Sequence, residues 1–393
     1  MAGLIPVKEA LERLIDLVPE LPAEDVPLRR AGGRALAGPI RAIHAQPPFA
    51  AAIMDGYALR ADEARPGAAF RVTGEAAAGG APGPAIGPGE AVRILTGAPV
   101  PEGGTRVVIQ EDAVREGDRI VLRDRLDENV YIRPAGSDFG CGQALPAGRL
   151  TPARLALAAA MGHPVLPCAR RPVVAIVPTG NELRQPGEEL DAGQIHASNG
   201  YGVAALVEAA GGEARLVPVA RDEESSIRAA IGLADGADLL VTMGGASVGD
   251  HDLIGPVLTA MGMDMAFWRV AMRPGKPLMA GRLGTMAVLG LPGNPVSSMV
   301  CGHVFLVPML RRMLGLPPCE ALRTAPLAHA VEANGPRQHY MRAEVGPDGV
   351  RIAERQDSSL LTALAEADHL VVRPPHDPPR DRGAHVDVIP LTV

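Results

Sequence analysis

The sequence predicts a multidomain α/β and β protein. A central doubly wound, mostly parallel α/β sheet is expected, with an irregular β-rich region before it and a small β domain after it. Three observations carry this. From Arg171 to about Gly315, buried strand patterns alternate with helix patterns, the rhythm of βαβ units with helices on both faces. From about Leu21 to Pro167 the texture is short alternating runs broken by Gly and Pro, as in EAVRILTGAPVPEGGTRVVIQEDAV. Beyond Gly315 and the Pro317–Pro318 pair come four further alternating runs, HYMRAEV, GVRIAE, HLVVRPP and HVDVIPL. The expected divisions are 1–170, 171–316 and 317–393.

The elements follow in order. MAGLIPVKEALERLIDLVPELP carries apolar residues at helical spacing between charges, so it reads as an amphipathic helix and not as a signal peptide. VVAIVPTG is a buried strand ending in a Gly turn. SNGYGVAALVEAA is a helix with Ser198 or Asn199 as N-cap, and ARLVPVA is a strand. RDEESSIRAAIGLA is a helix opening with acids, and DLLVTMGG is a strand. MAVLGLPGNP is the next strand, and PVSSMVCGHVFLVPMLRRML its helix. The longest apolar stretch, Val296 to Leu310, contains Ser297, Ser298, His303 and Pro308, and is too short and too polar to span a bilayer. There is no internal repeat.

Composition narrows the function classes. Against 38 Lys and Arg stand 45 Asp and Glu, a formal charge of -7, and aromatic residues make up only 3%. A nucleic-acid binder needs a basic face or stacking platforms, so that class is excluded. Cys141, Cys168, Cys301 and Cys319 are scattered without a CxxC pair, which argues against a disulfide framework or structural zinc and for a reducing, cytoplasmic setting.

Open α/β sheets bind ligands beyond the carboxyl ends of their strands. Three such ends are polar loops: PTGNEL, with Thr179, Gly180 and Glu182; GGASVGDHD, with Gly244, Gly245, Ser247 and Asp252; and GLPGNP, with Pro292, Gly293, Asn294 and Pro295. Asn294 suits an N-cap and Pro295 the first helical position, so the last loop delivers a helix N-terminus with amides for an anion such as phosphate. In the middle loop, glycines permit close backbone approach, while the hydroxyl and carboxylates suit phosphate and a divalent metal. Each loop also reads as a tight strand-to-helix turn with solvated acids. A fourth element, WRVAMRPGKP, gathers Arg269, Arg273 and Lys276 without an acid. It reads as an anion pocket or, alternatively, as a solvated basic edge.

The strings PPFAAAIMDGYAL, TGAPVPEGGTRVVIQED, IRPAGSDFG, IVPTGNELRQPGE, SNG, MGGASVGDHDLI, VAMRPGKPL and GLPGNPVSS occur in this order across essentially the whole chain. Together they resemble the molybdopterin molybdenumtransferase family, relatives of the gephyrin E domain. The resemblance implies a molybdopterin-binding type of α/β domain and an elongated homodimer with clefts bordered by both subunits. The 1–170 region would then supply dimer contacts. The implied reaction is Mg²⁺-dependent insertion of molybdate into adenylyl-molybdopterin with release of AMP. The resemblance carries Asp55, Asp138, Glu182, Asp222 and Asp252 as functional acids, Asp55 and Asp252 being the expected Mg²⁺ ligands. It carries Arg269, Arg273 and Lys276 as the cations, with Arg342 and Ser358 near the cleft, and Pro292 and Pro295 as shapers of their loop.

Two departures stand out. Ala50, Ala51 and Ala52 replace the polar run Asp-Asn-Ser usual before Asp55, and Arg269 stands where Lys is common. Asp222, which opens a helix, also reads as a simple N-cap. No Ser–His or Cys–His nucleophile pair is visible; Cys141 lies beside the Asp138 motif. A non-catalytic pterin-binding scaffold or a cofactor carrier on the same fold remains the alternative reading.

Overall fold

The computed structural model describes residues 4–244 and 253–392. The chain divides into two compact units, one made of Met1–Glu24, Gly33–Ala37 and Pro167–Val393, the other of Asp25–Gly32 and Gly38–Leu166.

In the first unit the α/β sheet has six strands in the order Glu213–Leu216, Val173–Pro178, Leu239–Met243, Met286–Leu291, Met279–Leu283, Asp264–Phe267. The first four run parallel, and the two remaining pairings at one edge are antiparallel. Side chains alternate between two cores, as the two-residue period of a strand dictates. Val174, Ile176, Leu239, Val241 and Leu289 pack on one face with Val203, Val207 and Val300 from helices. Ala175, Val177, Leu240 and Val288 pack on the other with Ile227, Ile231 and Leu258. Each fully buried aliphatic side chain contributes about 1.5–3 kcal/mol of transfer free energy, so both faces must be covered.

The N-terminal helix, Val7–Asp16, joins this first core through Ala10 and Leu14. Just before it, Ile5 bridges to the cation segment: Ile5 N donates to Arg269 O (3.2 Å) and Ala271 N to Ile5 O (2.8 Å). The helix after GLPGNP runs as Pro295–Cys301, a π turn at Gly302–Leu306, then Val307–Met313. Pro308 has no N–H for the i−4 carbonyl, which accounts for the rerouted ladder just ahead of it.

The C-terminal sheet is ordered Met272–Arg273, Gln338–Gly346, His369–Arg373, His385–Pro390, Arg323–Pro326, with Gly349–Ile352 hairpinned onto the second strand. Its edge strand comes from the cation segment, pairing Met272 with Gln338 and Arg273 with His339 in parallel. That cross-link between two stretches 66 residues apart could not be read from either stretch alone.

The second unit is built on a six-stranded sheet, Arg106–Ile109, Gly56–Leu59, Glu90–Ile94, Ala69–Ala76, Arg119–Leu122, Ala113–Glu116. Small cores around Val92 and Ile94 on one side, and Leu59 and Ile120 on the other, hold it. Among the described residues, no helix is long and apolar enough to cross a membrane.

Candidate functional site

The chain leaves Val173–Pro178 for its neighbour on one side, then crosses to Leu239–Met243 on the other. That reversal opens a crevice beyond the strand ends, where doubly wound sheets receive ligands. Thr179 is buried there, its amide and hydroxyl both donating to Met243 O (2.9 and 3.2 Å). Gly244 has φ +94, and a Cβ on it would lie 2.8 Å from Thr179 O, so no other residue fits this contact. Gly180 N donates to Ala220 O, and the exposed Glu182 carboxylate folds back over Gly180.

Asp222 and Asn181 exchange backbone-to-side-chain bonds, each amide donating to the other's side-chain oxygen at 3.2 Å. Asp222 is therefore not a helix cap. Glu223 occupies the N-cap position of Glu224–Gly232, without a side-chain cap bond. Ser198 is the N-cap residue of Asn199–Ala209, also without such a bond. Asn199 instead donates from Nδ2 to Gly293 O at 2.8 Å, tying that helix to the GLPGNP loop.

Asn294 takes the N-cap position of Pro295–Cys301 in extended backbone, with Pro295 in the first turn, but its side chain makes no cap bond. The loop is fastened by Ser298, whose amide donates to Asn294 O and whose hydroxyl donates to Pro292 O. Val296 N donates to Ser358 O (3.2 Å), which brings the C-terminal β region onto the first turn of this helix.

The GLPGNP loop, the cation segment and the C-terminal β region line a cleft of about 470 Å³; Thr179, Gly180, Glu182 and Asp222 are not part of that lining. Arg273, Lys276 and Arg337 supply its cations, opposite Pro292, Gly293 and Asn294. Ser297, Gln356, Asp357 and Ser358 complete the polar wall. Arg273 and Lys276 are exposed, with Gly275 buried between them. Gly275 has φ +103, and a Cβ there would meet Cys301 Sγ at 2.4 Å, so glycine lets the cation loop lie flat on the helix. Behind this wall, burial pushes the His339 imidazole down to about 4, and the charges of Arg273, Arg337, Arg373 and Arg342 push the same way. Ser359's hydroxyl and amide hold the Asp357 carboxyl below its ordinary range. The site thus combines a strongly positive wall with one ionised acid.

Arg337 is the residue that sequence reasoning missed. It precedes its strand in GPRQHY, donates to Met272 O (3.3 Å) and stands beside Arg273 on the cleft. Arg342, expected at the cleft, is only 2% exposed and is not part of the lining. Strand alternation and hydrogen bonds to the 355–357 backbone take it inward. Arg269 is half-buried on the segment paired with Ile5, also off the lining. Gly245, Ser247 and Asp252 lie outside the described residues.

Asp55 and Asp138 belong to the second unit. Asp55 Oδ1 accepts from Thr96 N (2.7 Å) and Thr96 Oγ1 (2.8 Å), and these bonds, aided by Arg93, hold its pKa below the ordinary value. Gly56 behind it is pressed against Val108 O, which fixes the turn. Asp138 is exposed, with its amide on Gln46 O (3.0 Å). Ala51 and Ala52 are buried in a short strand paired with Ile132 and Arg133, so the departure beside Asp55 places small apolar side chains where there is no room for solvated polar ones. Cys141 is exposed, its thiol directed at Ile43 O (3.4 Å).

Among the described residues, no group of three His, Cys, Asp or Glu side chains is arranged as a metal cluster. Mg²⁺ does not require one, since it binds through one or two carboxylates plus phosphate oxygens. Asp55, kept ionised with Oδ1 committed to Thr96, fits that requirement.

A cation-walled cleft beyond the end of the Met286–Leu291 strand has the chemistry to receive an anion. Comparison with known proteins agrees. Residues 5–162 match the MoeA N-terminal region (domain I and II), 175–312 a probable molybdopterin binding domain, and 324–391 the MoeA C-terminal region (domain IV). Molybdopterin molybdenumtransferase 2 of Mycobacterium tuberculosis is 36% identical over 333 residues, 81% of this chain and 82% of that one. The molybdopterin molybdenumtransferase of Haemophilus influenzae is 31% identical over 94% of both chains. The molybdopterin biosynthesis moeA protein of Pyrococcus horikoshii superposes with a TM-score of 0.86 at 28% identity, covering 98% of this chain and 99% of that one. The chain belongs to the molybdopterin molybdenumtransferase family.

Proposed function

We propose that this transferase of molybdenum cofactor biosynthesis inserts molybdate into adenylyl-molybdopterin, with Mg²⁺ and release of AMP, as a cytoplasmic homodimer. The observation that carries the reading is the convergence of Arg273, Lys276 and Arg337 on a cleft faced by the Gly293–Asn294 turn. Two anions must meet for this reaction, and their repulsion is the main obstacle. Arg forks and a Lys ammonium offset it, and the cleft keeps them in place before the ligands arrive. Asn199 and Ser298 hold the Gly293 loop so that its backbone can lie against an anion. Bound Mg²⁺ supplies charge neutralisation at phosphate oxygens. Asp55 would hold it, with Asp252 as the second carboxylate expected from sequence. Phe49, Ile53 and Met54 expose apolar surface beside Asp55 (41, 39 and 40%), which suits burial against a second copy.

The test is AMP release by the purified chain given adenylyl-molybdopterin, Mg²⁺ and molybdate. Wild type should release AMP only when molybdate is present. Asp55→Asn keeps the acceptor for Thr96 and should fold and dimerise normally, yet release none. Full turnover by that variant removes Asp55 from the mechanism. Pterin binding by wild type without AMP release would favour the scaffold or carrier reading.

A further inference from the structure

Between Ile352 and Leu370, no residue of the C-terminal β region is buried. This stretch nevertheless carries Asp357 and Ser358 to the cleft. Its packing is slight: half-buried Leu364 rests on the first core. The same stretch also borders a second cavity of about 910 Å³, lined by Ala353, Arg355, Gln356 and Leu360 among others.

Residues 353–357 are held by a reciprocal clamp. Gln356 Oε1 accepts from Arg342 N (3.0 Å), Nε and Nη2 (both 3.3 Å). Gln356 Nε2 donates back to Arg342 O (3.0 Å) and to Ala353 O (2.8 Å). Arg342 Nη1 donates to Asp357 O (2.7 Å) and Nη2 to Arg355 O (3.2 Å). Each amide group of Gln356 and both arms of the guanidinium are thereby spent on one five-residue segment. These bonds of Arg342 go to neutral acceptors, and burial lowers its pKa although Asp357 opposes the shift. A guanidinium buried among carbonyls is costly to desolvate. A charge placed at such cost has its return in geometry.

We propose that Arg342 and Gln356 are positioning residues of the anion cleft. Their clamp sets the 355–358 backbone so that Asp357 and Ser358 face the cations, and Ser358 O meets the Val296 amide. The proposal rests on the reading that this cleft takes the anionic substrates. Gln356 also lines the cleft, so the readout that marks positioning is the Val296 amide, which a lost direct contact would leave unmoved. Strand alternation places Arg342, and its partner Gln356 carries no motif of its own, so this role is visible only in the fold.

Gln356→Met replaces the amide by an apolar chain of similar length; Gln356→Glu keeps an acceptor and a counter-charge for Arg342 but loses both donated bonds. The second variant serves where the first does not fold. Either folded variant should bind molybdate, titrated alone into the full-length chain, roughly tenfold more weakly, the loss of about one charge-assisted hydrogen bond. The KM for molybdate should rise by the same factor, with kcat at saturation within about twofold, because uniform binding is what is lost. Hydrogen exchange at the Val296 amide should quicken as its acceptor moves. Unchanged affinity with unchanged Val296 protection in a folded variant overturns the clamp. A fall in kcat at unchanged KM also overturns it, since that is the mark of a group acting in the transition state. If wild type fails to bind molybdate or release AMP, the functional reading falls, while Val296 exchange in the variants still decides the clamp.

Discussion

Arg273 stands on the edge of the C-terminal sheet with its side chain exposed, whereas Arg342 and Arg373, one and two strands further in, are each 2% exposed. The edge residue has Lys276 and Arg337 for company on an open cleft. The inner ones are consumed by their surroundings. Arg373 donates to the Asp377 carboxylate from Nε, and to Glu332 O and Pro378 O from Nη2. Arg342 meets only carbonyls and Gln356. The same residue type is available for recognition where it is exposed on a cleft, and serves architecture where backbone acceptors already claim its donors. Position relative to the sheet edge decides which.

The largest effect should come from breaking the inner set. Asp377 is 6% exposed and pairs with Arg373 and with Arg380 (2.6 Å). Asp377→Ala leaves Arg373 buried without a counter-charge, which should cost about 3–5 kcal/mol in urea unfolding. Burial alone would raise the Asp377 pKa, but the hydrogen bonds from Arg380 and Arg373 outweigh it and hold the value below the ordinary one. Its folded pKa is thus below its unfolded pKa, so the unfolded chain binds more protons between the two. The stabilisation is complete above the unfolded value, near pH 4, and is lost as pH falls through the folded one. Asp377→Asn should therefore flatten the acid limb of the stability curve. An unchanged acid limb would show that the pair contributes nothing to it.

Breaking the outer set should do the opposite. Lys276→Ala should weaken molybdate binding by roughly ten- to a hundredfold, the equivalent of one charge-assisted hydrogen bond of about 1.5–3 kcal/mol. Its thermal midpoint should hardly move, or rise as repulsion from Arg273 is relieved. Titration with molybdate beside a melting curve checks both. Equal affinities for variant and wild type would return Lys276 to the status of a solvated edge.

This contrast also explains what the sequence could and could not reveal. The strand ends of the α/β sheet were legible from period and Gly turns, and with them the meeting of Pro292, Gly293 and Asn294 at one end. Arg273 and Lys276 were legible as cations without a local acid. Arg342 was expected at the cleft and Arg337 was missed, because Arg342 lies inside an alternating run and Arg337 just before it, and what separates them is bonds to distant backbone. Asp222 read equally well as a cap, because the deciding bond comes from Asn181, 41 residues away. The N-terminal helix announced its apolar stripe but not the core that receives it. Local chemistry was readable; the long-range acceptor that claims or spares a side chain was not.

The smallest effect tests how much of the cleft is loop geometry and how much is charge. Asn199 donates one neutral hydrogen bond to Gly293 O. Removing it should cost roughly 0.5–1.5 kcal/mol, the ordinary net value. Part of that returns, because Ala is the better helix former, by a few tenths of a kcal/mol, in the first turn of Asn199–Ala209. Asn199→Ala should therefore lower stability by less than about 1 kcal/mol. The Gly293 carbonyl is then free to turn, and a carbonyl turning toward a bound oxyanion repels it. Molybdate affinity should fall about two- to fivefold, well short of Lys276→Ala, since no charge is lost. Calorimetric titration of the two variants side by side gives the ratio. If Asn199→Ala weakens binding as much as Lys276→Ala, the Gly293 turn contributes as much as the cation, and the division between exposed cations and architectural bonds must be redrawn to put the loop on the side of recognition.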